Sequence, residues 1–227
     1  MLTTQARPLR ADAQRNRERL LKVAVHAFSH KGPDVTLESI ASEARVGIGT
    51  LYRHFPTREA LIEAAYRNEL ARLCAGVPEL LRTMPAEVAL RTWMDRFIDY
   101  LATKRGMADA LRMVIASGGN PHAQSRERLL EAVGSLLKAG ADHGALRRDI
   151  DPADVMIGIS GVSLAAGAPE QREQAGRLLD LLLDGLRYRQ PELRRQRGAQ
   201  TSARRQVSAK RPLAVRRPSV KPSPTMP

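Results

Sequence analysis

Val35 to Leu61 reads VTLESIASEARVGIGTLYRHFPTREAL, and this stretch decides the fold. Thr36 is a good N-cap, because its hydroxyl can accept a hydrogen bond from a backbone N–H of the first turn. The helix predicted from Leu37 to about Ala44 places Leu37, Ile40, Ala41 and Ala44 on one face at three- and four-residue spacing. Ala41 is small where a second helix must come close. Arg45-Val46-Gly47 is the turn, with Val46 as an apolar plug and Gly47 expected to supply the backbone freedom. The second helix, Ile48 to His54, is barely two turns long, and Leu51 and Phe55 point inward. Pro56-Thr57 ends it, and Thr57 caps the next helix at Arg58. Two short helices around such a turn form a helix-turn-helix, in which one helix braces while the other enters a DNA major groove.

The outward residues suit that task. Arg53 can pair bidentately with guanine or clamp a phosphate, and Thr50 offers a hydroxyl and a methyl. Tyr52, His54 and Arg58 can donate to phosphate oxygens. Gly49 lets the helix sit close to the base edges. The plainer reading is a surface helix with a few polar groups and a packed tyrosine. Against it, a helix this short and containing glycine has poor intrinsic stability, so something besides propensity must favour it.

The entry Val35-Thr36-Leu37, the Ile40-Ala41 pair, the run Gly49-Thr50-Leu51-Tyr52-Arg53-His54-Phe55 and the following Arg58-Glu59-Ala60-Leu61 resemble the TetR family of bacterial regulators. The likeness is specific over roughly the first 70 residues. Beyond them it rests on an all-helical pattern and length. The run Gly144-Ala145-Leu146-Arg147-Arg148-Asp149 is similar to a subgroup of that family. The resemblance implies DNA contacts at Thr50, Tyr52, His54 and Arg58, mainly to phosphate. Thr36, Arg45, Gly47, Gly49 and Arg53 complete the expected DNA-facing set. Many members carry a hydroxyl residue where this chain has Gly47. A glycine cap costs the helix only tenths of a kcal/mol, but a side-chain phosphate contact is lost, and Arg45 or Arg53 must compensate. Arg58 stands where lysine is common, which keeps the charge and adds a fork.

The whole chain reads as all-α. Alanine and leucine are abundant, and no alternating Val/Ile/Tyr/Thr run suggests a sheet. A flexible basic arm is expected over residues 1–10, the helix-turn-helix domain over 11–57, a helical effector-binding and dimerisation domain over 58–189, and a disordered basic tail over 190–227. Helix one should run from Ala11 to Lys31 with Leu20, Ala24, Ala27 and Phe28 inward. Further helices are expected at 58–75, 86–104, 106–117, 122–139, 152–166 and 170–188, with Pro78 and Pro85 punctuating the region between the first two. The net charge of +13 is uneven, since residues 191–227 hold ten Lys/Arg and one acid. The body is therefore only mildly basic, with cations clustered at Arg15, Arg17, Arg19 and Lys22 and around the recognition segment.

Trp93, Phe97, Tyr100 and Met113 are the expected lining of an apolar, adaptable effector pocket in the middle helices. Plain core packing is the competing reading for each of them. The last two helices carry more apolar surface than one face requires. Met156, Ile159 and Val162 with Leu179, Leu182 and Leu186 are expected to pair with their copies in a second subunit. Burial inside one subunit is the alternative. A homodimer would read a palindrome, since one two-turn helix spans too few base pairs.

No segment of 18 apolar residues occurs, so no membrane span is expected. The N-terminus lacks an apolar signal core, and the lone Cys74 suits a reducing bacterial cytoplasm, at the nucleoid. His26 and His30 lack the HExxH pattern and a third ligand, so no metal is expected. No phosphate-binding glycine loop, nucleophile elbow or acid/base pair is present, which argues against an enzyme and against a cofactor. The leading reading is a sequence-specific transcriptional repressor, released from a palindromic operator by a small molecule. The alternative is a general nucleic-acid binder driven by the basic tail.

Overall fold

The computed structural model describes residues 6–187, with side chains from residue 11 onward. Ten α-helices follow one another: α1 Ala6–His30, α2 Leu37–Glu43, α3 Ile48–His54, α4 Arg58–Ala75, α5 Val77–Thr83, α6 Ala86–Gly106, α7 Ala108–Ala116, α8 Ser125–Asp142, α9 Pro152–Ala165 and α10 Arg172–Leu186. A single 3₁₀ turn, Pro169–Gln171, leads into α10. Among the described residues there is no strand, only an isolated bridge between Leu146 and Arg187. The all-α expectation holds.

Several boundaries differ from those read in the sequence. α1 begins at Ala6, so half of the expected arm continues the helix; residues 1–5 lie outside the described part. The basic tail, 190–227, also lies outside it. The sequence predicts a proline-punctuated connection where α5 stands. Pro78 in fact sits in its first turn, where a missing N–H costs nothing.

One core runs through the molecule. α1 contributes Leu20, Leu21, Ala24, Ala27 and Phe28, extending the expected stripe by one leucine. It packs on α4 and α6, and α2 and α3 also rest against it. α6 is the central helix, touching α1, α4, α5, α7, α8, α9 and α10. Its buried face carries Leu90, Trp93, Met94, Phe97 and Ile98. At its end, Gly106 lies so close to α1 that an added Cβ would stand 2.7 Å from the Ser29 carbonyl oxygen. Only glycine permits that approach, which joins the helix-turn-helix unit to the body.

α9 and α10 are tied to α6 by charge as well as by apolar contact. Arg91 donates from Nε to Asp180 at 2.6 Å and from Nη2 to the Gly176 carbonyl at 3.0 Å, and it also pairs with Asp95. Arg172 reaches Asp95 at 3.0 Å. Arg105 donates to Ser163 Oγ at 2.7 Å, which satisfies a hydroxyl that is almost wholly buried. The Gly144–Asp149 run forms the loop after α8. Leu146 fills the space left by Gly140, and the Arg147 N–H donates to the Leu186 carbonyl at 2.9 Å.

Candidate nucleic-acid interface

The recognition unit is built from the core outward. Leu37, Ile40, Ala41, Ala44, Leu51 and Phe55 are buried, and Val46 packs against them from the turn. Thr36 Oγ1 accepts from the Ser39 N–H at 3.2 Å, and Thr57 Oγ1 accepts from the Ala60 N–H at 3.1 Å. Both expected caps are formed.

The turn differs from expectation in one respect. Gly47 has ordinary extended backbone at φ −62°, and the left-handed residue is Arg45 at φ +54°. The Val46 N–H donates to the Ala41 carbonyl at 2.9 Å, and the Arg45 N–H donates to the Ser42 carbonyl at 3.0 Å. This is a Schellman ending to α2, with arginine in the position glycine usually takes. The left-handed conformation costs an L-residue about 1–2 kcal/mol. Gly47 instead heads α3 as a bare cap, and its carbonyl accepts from the Thr50 N–H at 2.8 Å.

Above this frame α3 presents a free face. Tyr52 is 45% exposed, Arg53, Gly47 and Gly49 are exposed, and Thr50 and His54 are half-buried. A Cβ added at Gly47 or Gly49 would meet nothing within 4 Å. Among the described residues, the side chains of Arg45, Thr50, Tyr52 and Arg53 make no hydrogen bond or ion pair. Beside the turn, Arg19, Lys22, His26 and Arg45 line an open groove of about 510 Å³ that also includes Glu43. Arg19 and Lys22 thus extend the cationic face onto α1, as their clustering in the sequence suggested. Arg17 is the less visible member, its guanidinium lying 5.6 Å from the Phe55 ring centre.

Arg58 leaves the expected set. It donates from Nη1 to the Val35 carbonyl at 2.6 Å and stacks over the Phe28 ring at 5.2 Å. It braces the start of α4 against α1 and the loop before α2. Sequence reasoning placed it outside because the helix phase at Thr57–Arg58 cannot show which way a long side chain turns.

A second concavity lies in the body. A cleft of about 600 Å³ opens between α4, α6, α8 and α9, with Phe97 and Tyr100 in its wall. Of the four residues named for a pocket in the sequence, Phe97 and Tyr100 line this cleft. Trp93 and Met113 do not. Trp93 is fully buried behind Phe97, with ring centres 5.5 Å apart. Met113 is 40% exposed on the outside of α7, because Ala110, Leu111 and Val114 claim the inner face. Tyr66, Lys104, His122, Ser125 and Arg126 join the cleft from elements without a common motif. The Tyr66 hydroxyl is hydrogen-bonded to the Tyr100 hydroxyl and lies 3.1 Å from His122 Nδ1. Burial pushes both tyrosine hydroxyls up from their usual range and, with the nearby Lys104 charge, holds His122 below its own.

The apolar surplus of the last two helices divides between two faces. Ile159, Leu179 and Leu186 lie on the inner face and are buried within the subunit, so they are corrected from interface to core. Leu182 packs on Gly158, holding α10 against α9. Met156 and Val162 are partly buried against the same core. The exposed apolar residues are Ile157, Leu164 and Leu181, at 68%, 85% and 68%. On α9 the three- and four-residue spacing of Ile157, Gly161 and Leu164 makes a stripe, which also forms one rim of the cleft. Among the described residues no cluster of three metal-ligating side chains occurs; His26 and His30 stack on each other. No described helix is long and apolar enough to cross a membrane.

The described residues form an all-helical body that carries a capped helix-turn-helix, the architecture of a DNA-binding regulator. Residues 20–65 match the family model for bacterial regulatory proteins of the tetR family, and residues 85–188 match that of the SbtR-like transcriptional regulator C-terminal domain. The chain belongs to the TetR family of transcriptional regulators. It is 56% identical to the TetR transcriptional regulator SCO0520 from Streptomyces coelicolor, covering 75% of this chain and 98% of that one at a TM-score of 0.73. It is 32% identical to a TetR transcription regulatory protein from Mycobacterium vanbaalenii, covering 80% and 100% at a TM-score of 0.66. A curated relative, the HTH-type transcriptional regulator SAUSA300_2515 from Staphylococcus aureus (strain USA300), is 35% identical over 63 residues. That match spans 27% of this chain and 34% of the relative, so it covers about a third of the latter's length.

Proposed function

We propose that the protein is a dimeric repressor that leaves a palindromic operator when a small molecule fills the body cleft. One observation carries the reading. Arg45, Thr50, Tyr52 and Arg53 surround a recognition helix fixed by buried Leu51 and Phe55, and among the described residues their side-chain polar groups have no partner. Cations set along one face with open space before them suit a phosphate backbone, and Arg53 and Thr50 suit base edges.

The apolar stripe of Ile157, Gly161 and Leu164, with Leu181 on the neighbouring helix, supports pairing through α9 and α10. Pairing by a two-fold axis would set two α3 helices at a fixed separation. The cleft is well placed to disturb that separation. Tyr66 in its wall belongs to α4, and α4 starts four residues after α3 ends. A ligand that binds only one setting of α4 shifts the balance between settings by its difference in affinity.

Selection of bound duplexes from a random pool tests the reading. Two inverted half-sites are expected, favoured over random duplex by at least about a thousandfold. Enrichment of no motif, or of a single unpaired site, overturns it.

A further inference from the structure

We propose that the body cleft takes an organic anion with an apolar body, its carboxylate held at the end formed by Lys104, Ser125 and Arg126. This rests on the effector reading above and names the chemistry of that effector. The lining is uneven in charge. It includes Lys104 and Arg126 and no carboxylate. Among the described residues, neither cation forms an ion pair or hydrogen bond. Their neighbours differ, since Arg91 and Arg172 hold aspartates and Arg105 holds Ser163 and the Gly167 carbonyl. Lys104 and Arg126 thus bring two positive charges to a lining that holds no carboxylate.

Ser125 adds a hydroxyl at the same end, its Oγ lying in the cleft wall close to the Tyr66 hydroxyl. Ser125 also opens α8, whose first turn has no side-chain cap. His122 is held neutral by burial and by Lys104, so it does not compete as a third cation near neutral pH. Phe97, Leu101, Leu129, Leu130 and Met156 give the wall its apolar part. A body of aliphatic or aromatic carbon covers that wall, and its anionic end meets the charged one.

Three probes of equal length test the assignment: decanoate, decanamide and decylamine, each below its micellar concentration. Trp93, the chain's only tryptophan, lies behind Phe97 and serves as the fluorescent reporter, with calorimetry as a second measure. The full-length protein should bind decanoate at least tenfold more tightly than decanamide, with decylamine weakest. Added salt should narrow the gap. In a Lys104→Met/Arg126→Met variant, decanoate should weaken at least tenfold while decanamide stays within twofold, which also shows that the cleft is folded. Equal or tighter binding of decanamide or decylamine overturns the assignment, and so does binding by none of the three. Release of the selected duplex is scored separately. A carboxylate preference without release sinks the effector reading alone, and release by every probe alike sinks the anion assignment alone.

Discussion

α3 and α9 both expose groups that the subunit does not use, but of opposite kinds. α3 is polar outside, with Tyr52 and Arg53 unpaired above one buried leucine. α9 buries Val155 and Ile159 and still exposes Ile157 and Leu164. A free polar face costs little in water, so it can wait for a ligand that comes and goes. A free apolar stripe costs in proportion to its area until something covers it. The first suits a reversible reader of DNA and the second a lasting contact with another copy.

The largest effect should come from stripping the polar face. Replacing Thr50, Tyr52 and Arg53 together by alanine should weaken binding of the selected duplex by a hundredfold or more, since a good base contact contributes about 1–3 kcal/mol and each is present in both half-sites. Thermal stability should hardly change. Fluorescence anisotropy checks the first point and calorimetry the second. Retained affinity would remove α3 from the interface.

The inner and outer residues of the last helices should separate cleanly. Ile159→Ala should cost about 2–5 kcal/mol of stability by leaving a cavity. Leu181→Glu should leave subunit stability nearly intact and shift the protein to monomer in sedimentation. A Leu181→Glu protein that stays dimeric would show that another surface pairs.

A smaller effect is expected at the turn. Arg45→Gly should raise stability by about 1 kcal/mol, because glycine adopts positive φ without the Cβ clash. The same change should weaken DNA binding and lower the salt slope by about one unit per subunit. Higher stability with unchanged binding would mean that Arg45 touches no phosphate.

The smallest effect concerns pH. Burial holds His122 below its unfolded value of about 6.5, so the unfolded chain takes up a proton first. Stability should therefore fall as pH drops through 6.5 towards the lower folded value. His122→Gln should flatten that part of the curve of melting temperature against pH. An unchanged slope would place the titration elsewhere.

How much of this was legible in the sequence follows from how local each signal is. The caps at Thr36 and Thr57, the buried set around Leu51 and the free α3 face depend on spacings within two turns, and they were read correctly. Arg45's left-handed backbone was assigned to Gly47, because glycine is the usual occupant and the hydrogen bonds that decide are not visible in residue types. Arg58 was misplaced for a similar reason, since its partners Val35 and Phe28 are distant in sequence. In α9, apolar residues occur all round, so periodicity could not separate Ile159 from Ile157. The cleft draws on four helices, and Lys104, Ser125 and Arg126 carry no shared spacing.

In the proposed dimer two α3 helices are held at one separation by the paired subunits. The most direct measurement is the affinity for the selected palindrome after about five base pairs, half a helical turn, are inserted between the half-sites. The prediction is a fall to the level of random duplex, because the second helix would then face the wrong side of the DNA. Affinity within twofold of the original site would contradict it.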